Sequence, residues 1–157
     1  METRPSWFYR QSGVIPFRQF DGRLEVLLVT NRRRRRWIIP KGIIEPGLSA
    51  TESAAREAWE EAGVLGAIRS FPVGEYRYAK WGGICTVQVF LLRVDEVLGS
   101  WPEGTIRGRV WLSPREAADR VREEELRPML LRLPDLLIHS GVEQDWTLFN
   151  VLKEAPE

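Results

Sequence analysis

Three carboxylates offer the clearest chemistry in this chain. Glu57, Glu60 and Glu61 are spaced by three and four residues, so on a helix they share one face with Cβ atoms about 5–6 Å apart. Like charges held that close cost a helix roughly a few tenths of a kcal/mol per pair, and a bound cation offsets the cost. Ligands made only of oxygen suit a hard divalent ion such as Mg²⁺ or Mn²⁺, which keeps water in its shell and bridges to substrate phosphates. Taken alone, the same three residues would equally suit a solvated acidic helix face. The preceding segment argues against that. Pro40-Lys41-Gly42 and Glu45-Pro46-Gly47 form a glycine-bearing loop that lets backbone approach the same place, and a surface helix has no need of one.

Those carboxylates need a helix and a sheet to hold them. Ser49 is followed three residues later by Glu52, a capping box, and Gly63 closes the segment, which together predict a helix over 50–62. The cap alone is worth about 1 kcal/mol. Ala54, Ala55, Ala58 and Ala62 are small enough to let that helix lie close to a sheet. Upstream, 12–17 and 25–30 read as strands around an Asp21-Gly22 turn, and 37–39 is a short apolar stretch ended by Pro40. Downstream, 69–78, 84–94 and 107–112 read as strands. Ser113-Pro114-Arg115-Glu116 repeats the start signals of a helix running to about 121, and another is expected over 124–138. Strands interleaved with three helices predict an α/β layered fold.

Composition limits the function classes. A chain of 157 residues with 43% hydrophobic and 29% charged residues fits one domain with a real core. No apolar run approaches the roughly 18 residues needed to span a bilayer, and the N-terminus lacks the apolar centre of a signal peptide, so the expected location is the cytoplasm. Cys85 is the only cysteine and sits in an apolar run, which points to a buried small hydrophobe. A net charge of +1 argues against general attraction to nucleic acid or membrane. Its distribution is uneven, because Arg32, Arg33, Arg34, Arg35 and Arg36 stand in a row while lysine occurs only at 41, 80 and 153. Such a run is either a solvated loop or a set of guanidiniums that grip phosphate with bidentate bonds.

The segment from 42 to 64 contains Gly42, five residues, Leu48, seven residues, then Arg56-Glu57-Ala58-Trp59-Glu60-Glu61-Ala62-Gly63-Val64. It resembles the signature of the Nudix hydrolases, with one departure: that pattern has Glu where this chain has Leu48. Arg36-Trp37-Ile38-Ile39-Pro40-Lys41-Gly42 ahead of it and Trp111-Leu112-Ser113-Pro114-Arg115-Glu116-Ala117 behind it are similar to the family's flanking segments. More loosely, the arginine-bearing loop resembles the branch that includes diphosphoinositol-polyphosphate and diadenosine-polyphosphate hydrolases. The resemblance implies a single domain over 1–157, clearest over about 8–140, with an α/β/α sandwich and a mixed β-sheet between helices.

The resemblance also implies a reaction. Nudix enzymes hydrolyse a diphosphate bond in a nucleoside diphosphate linked to another moiety, with divalent metal and an activated water. Carried onto this chain, Glu57 and Glu61 would be the principal Mg²⁺ or Mn²⁺ ligands, Glu60 would share the metal or act as base, and the Gly42 carbonyl would complete the metal shell. Which glutamate takes the proton stays open, with Glu57 and Glu60 as the catalytic candidates. Arg56 would brace the loop, and with Leu48 unable to pair, Glu52 four residues before it or Glu45 in the loop is the expected substitute. Arg36, Lys41, Arg10 and Arg18 are the candidates for substrate phosphate. Arg77, Lys80 and Trp81 are placed to cover the site, Trp37, Trp81 or Trp101 to stack on a base, and Glu75 or Glu103 to add a later carboxylate. His139, the sole histidine, is given no catalytic role. The expected partner is a small diphosphate or polyphosphate metabolite, such as a dinucleoside polyphosphate, bound by a monomer or homodimer. Two alternatives stand beside it: a Nudix-fold nucleotide-binding or regulatory module without turnover, favoured by Leu48, and an RNA 5′-end pyrophosphohydrolase working through the arginine run.

Overall fold

Alternation along the first two strands explains the layering. In β1 (Arg10–Phe20), Val14 turns to one side of the sheet while Ile15 and Phe17 turn to the other. In β2 (Arg23–Thr30), Leu27 and Val29 face the first side and Val26 and Leu28 the second. Both faces are therefore apolar, and each needs a covering layer. The two strands meet in a hairpin in which Asp21 (φ 54°) and Gly22 (φ 75°) take the left-handed conformations of a tight two-residue turn.

The computed structural model describes residues 3–138, 145–149 and 151. The further strands are β3 (Trp37–Ile38), β4 (Lys41–Ile43), β5 (Val64–Arg69), β6 (Gly74–Lys80), β7 (Gly83–Val97), β8 (Arg109–Leu112) and β9 (Trp146–Leu148). Among the described residues they form one mixed sheet with the path β3-β2-β1-β7-β5-β9; β4 pairs with β1, β6 with β7 and β8 with β2. Only the β1–β7 pairing is parallel among them. Helix α1 (Ala50–Glu57), continued by a π-helical turn over Ala58–Ala62, covers one face through Ala54, Ala58 and Ala62. Helices α2 (Pro114–Arg120), α3 (Leu126–Leu131) and α4 (Leu133–Ile138) cover the other, packing Ala117, Leu126, Leu130 and Leu133 on Ile15, Val89 and Leu91. The expected α/β/α sandwich with a mixed sheet is the observed one.

Several expected boundaries move. The strand read over 69–78 is two strands, because the chain turns through Ser70, Phe71, Pro72 and Val73 between β5 and β6. Pro72 cannot donate to a ladder, and here it falls in the turn where pairing stops. The helix read over 124–138 is also two. Pro128 and Pro134 each lie in the first turn of a short helix, the one place where a missing N–H leaves no carbonyl unsatisfied. The strand read from 107 begins at Arg109, and Arg107 is a buried loop residue instead.

Candidate active site

The site starts where β4 lies beside β1, with Gly42 opposite Ser12. Glycine is required at 42, since a Cβ there would collide with the Glu57 carboxylate. Glu57 ends α1, and Glu60 and Glu61 belong to the wide π turn that follows. Such turns occur often at functional sites. Gly63, at φ 66°, terminates it in a left-handed cap, with its N–H donated to the Trp59 carbonyl at 3.0 Å. An added Cβ at 63 would meet Trp101 and the Arg109 guanidinium at 2.7 Å.

Glu57 and Glu61 converge, and each carboxyl group bears on the other's protonation. Burial pushes the Glu57 carboxyl up to about 10, with the charges of Glu61 and Glu60 adding to it. Burial also raises Glu61, to about 7, against the pull of Arg107 and of the Lys41 N–H. Glu61 is 6% exposed; its Oε1 accepts from the Lys41 backbone at 3.2 Å and its Oε2 from Arg107 Nη2 at 3.2 Å. Glu60 lies at a half-buried rim. Its carboxyl is raised by burial and by Glu103, with Arg56 opposing.

Arg107 joins these groups to a fourth carboxylate. Its buried guanidinium donates to Glu103 Oε1 at 2.9 Å, to the Thr30 carbonyl at 2.9 Å and to Glu61. Arg32 also reaches Glu103, at 3.6 Å. Among the described residues, no three acidic, histidine or cysteine side chains already stand as a closed ligand cage. The donor chemistry nevertheless fits a hard divalent cation. Two desolvated, closely placed carboxyl groups offer only oxygen, and the Gly42 backbone lies beside them.

These groups face a cleft of about 620 Å³. A hydrogen-bonded chain also lines it: Lys41 Nζ donates to the Tyr78 hydroxyl at 2.9 Å, which donates to Gln11 Oε1 at 2.7 Å. Burial lowers the Lys41 pKa, with Glu61 opposing. Lys80 and Trp81 close the rim. Trp81, at φ 53°, takes a left-handed conformation that is uncommon for a bulky residue. The Tyr9 hydroxyl holds it there by donating to its carbonyl at 2.6 Å.

The candidates separate by position. Glu57, Glu60, Glu61, Gly42, Lys41 and Arg36 all line the cleft. Arg36 is also held by Glu123 at 2.6 Å. Arg10 lines an adjoining groove. Arg18 is not brought to the site: it pairs with Glu25 at 2.9 Å and lies over the Trp111 ring at 3.8 Å, so packing and pairing account for it. Glu52 closes the capping box through one oxygen, which accepts the Ser49 N–H at 3.1 Å. Ser53 also fastens the loop: its buried hydroxyl accepts the Glu45 N–H at 3.2 Å.

Of the tryptophans, Trp101 is committed to the Glu61 carbonyl at 3.0 Å and to the Arg109 guanidinium, and Trp37 packs on the core. Only Trp81 of the three lines the cleft. Glu103 reaches the cleft, whereas Glu75 and Arg77 lie off it as an exposed pair at 3.7 Å. His139 lies outside the described residues. Arg107, Tyr78, Gln11 and Ser53 are the functional-site residues that sequence reasoning missed. Only Arg107 left a trace, its four-residue spacing from Glu103.

Comparison with known proteins agrees with this geometry. The family model described as "NUDIX domain" matches residues 8–133. The chain is 31% identical over 159 residues to "Nudix hydrolase 13, mitochondrial" of Arabidopsis thaliana, covering 87% of this chain and 79% of that protein. It is 36% identical over 107 residues to "Diphosphoinositol polyphosphate phosphohydrolase 3-alpha" of Mus musculus, covering 67% and 63%. Among solved structures, an Ap4A hydrolase of C. elegans in a binary complex superposes with a TM-score of 0.68 at 21% identity, covering 83% of this chain and 98% of that one, a likeness of fold. No helix among the described residues is long and apolar enough to cross a membrane.

Proposed function

Given that the chain belongs to the Nudix family, we propose that it hydrolyses a diphosphate bond in a nucleotide-linked or polyphosphate metabolite, of the dinucleoside polyphosphate kind. The observation that carries this reading is the buried Glu57–Glu61 pair in a cleft lined by cationic side chains. Glu57, Glu61 and the Gly42 carbonyl are the groups that would hold Mg²⁺ or Mn²⁺. When bound, such an ion neutralises charge on the phosphoryl oxygens and lowers the pKa of water. The protein supplies the rest. Arg107 and the Lys41 N–H keep both Glu61 oxygens oriented, and Lys41 Nζ, braced by Tyr78, presents a positive charge to phosphate. Arg32, Arg33 and Arg36 extend that field along the cleft. Glu60, half-buried at the rim, is the carboxylate that would accept a proton from attacking water, and Glu103, paired with Arg107 and Arg32, lines the cleft beside it.

A panel of diphosphate and polyphosphate substrates, incubated with Mg²⁺ or Mn²⁺ and resolved by mass spectrometry in ¹⁸O-water, tests this directly. Turnover is expected with water oxygen in one phosphate product. Glu61→Gln should reduce it by about 10²–10⁴-fold, the range for removing a group that acts on the transferred proton or its orientation. A panel left intact, with nucleotide bound but unchanged, would make the protein a binding module instead.

A further inference from the structure

We propose that Ser12 is a positioning residue for Glu57: its hydroxyl donates to the Glu57 carboxylate and fixes which oxygen of that group is left for a divalent cation. The Ser12 side chain is 0% exposed, and its Oγ has no hydrogen-bond partner among the described residues. Burying a hydroxyl unpaired costs folding free energy, and alanine would fill the same place in the strand without that cost. A buried orphan of this kind calls for a partner that it meets in another state of the site.

Sheet geometry supplies the partner. Side chains alternate across β1, so Ser12 lies on the face of Val14, which α1 covers through Ala54 and Ala58. Gln11 and Lys41 turn to the other face, where both meet the Tyr78 hydroxyl. In the antiparallel pairing of β1 with β4, Ser12 stands directly opposite Gly42. Residues so opposed point to one face, with Cβ atoms about 4.5–5.5 Å apart. At Gly42 the Glu57 carboxylate takes the place of the Cβ, since its carbon and both oxygens are the atoms that a Cβ there would strike. Ser12 and that carboxylate are therefore cross-strand neighbours. A turn of the two side chains closes the remaining gap to hydrogen-bond length. Gln88, the neighbour of Ser12 on the β7 side, leaves the hydroxyl unpaired.

Glu57 needs such a hold. It ends α1 on a long side chain, and its carboxyl converges on Glu61. A donor on β1 ties one oxygen of the ionised group to the sheet, as groups behind a metal ligand commonly orient it. The assignment rests on the proposed hydrolase reading only for the cation itself.

Mn²⁺ is the probe, titrated into the full chain and followed by the electron paramagnetic resonance of the free ion, which needs no substrate. Ser12→Ala should weaken binding by about 10–100-fold, the range for losing a partner behind a metal ligand. In EDTA the same variant should melt at or above the temperature of the unaltered chain, because a buried unpaired hydroxyl has gone. A purely structural serine would lower it. In a Glu57→Gln background, Ser12→Ala should change Mn²⁺ binding by less than about twofold, since the hydroxyl acts through Glu57. Unchanged Mn²⁺ binding in Ser12→Ala, or a loss that persists in full on Glu57→Gln, overturns the assignment. Ser12-dependent Mn²⁺ binding in a protein that turns over no diphosphate keeps the assignment and removes the hydrolase reading. Metal-dependent turnover with Ser12-independent Mn²⁺ binding does the reverse.

Discussion

Glu57 is the residue where function and stability pull apart most sharply. Its folded pKa of about 10 and that of Glu61 near 7 both lie above the ordinary carboxylate value of 4.5. The folded chain therefore keeps protons that the unfolded chain releases. The stabilisation is complete below about pH 4.5 and is lost as pH rises through these values. Without divalent metal, stability in urea should fall between about pH 5 and 8, at up to about 1.4 kcal/mol per pH unit for each such group. Glu57→Gln keeps an amide to donate to Glu61 and removes the repulsion. At pH 8 without metal it should be more stable than the unaltered chain by roughly 1–3 kcal/mol, while losing turnover. A destabilised Glu57→Gln under those conditions would show that the pair is not under electrostatic strain. Arg107 is the opposite case. Arg107→Met leaves Glu61 buried without its cation and should cost about 3–5 kcal/mol near pH 8. The loss should shrink toward pH 5 as Glu61 takes up a proton, and comparison of urea midpoints at the two values checks it.

Elements hold these residues through small contacts that can be removed singly. Ser53 is 2% exposed and carries the loop on α1 by accepting the Glu45 N–H. Ser53→Ala leaves that donor without its protein acceptor and should cost about 1 kcal/mol. It should also raise the Mg²⁺ or Mn²⁺ concentration needed to lift the melting temperature, because the loop carries Gly42 toward the carboxylates. Gly63→Ala should cost about 2 kcal/mol or more, since left-handed backbone, two aromatic ring atoms and a guanidinium all oppose the new methyl. Thermal melts of both variants check the order of the two effects.

Across the protein, charge is local rather than global. The chain as a whole carries +1, yet one cleft collects six cations around its acidic residues. Attraction of a polyphosphate into that cleft is screened over about 8 Å at physiological salt. The KM for a polyphosphate substrate should therefore rise several-fold as salt is raised, with a smaller change in kcat. A salt-independent KM would show that these cations do not draw the substrate in.

Much of this protein was legible in its residues because the signals are local. Ser49–Glu52 and Ser113–Glu116 both form the capping boxes that their spacing predicts. Glu57, Glu60 and Glu61 share one face because three- and four-residue spacing returns to the same side of a helix, and the capping box and Gly63 mark that helix. The alternation of β1 and β2 requires two covering layers. Tertiary structure decided the rest, because it depends on contacts between residues far apart in the chain. Arg18 and Arg36 are indistinguishable as sequence; only the fold sends one to Glu25 and Trp111 and the other to the cleft. Arg107 reaches Glu61 across 46 positions and Thr30 across 77. Leu48 cannot make the family's usual pairing with Arg56, and Ser53, which helps to hold the loop, carries no charge to announce that role. Local spacing can set a helix face or a cap, but it cannot say which distant cation a buried carboxylate will meet.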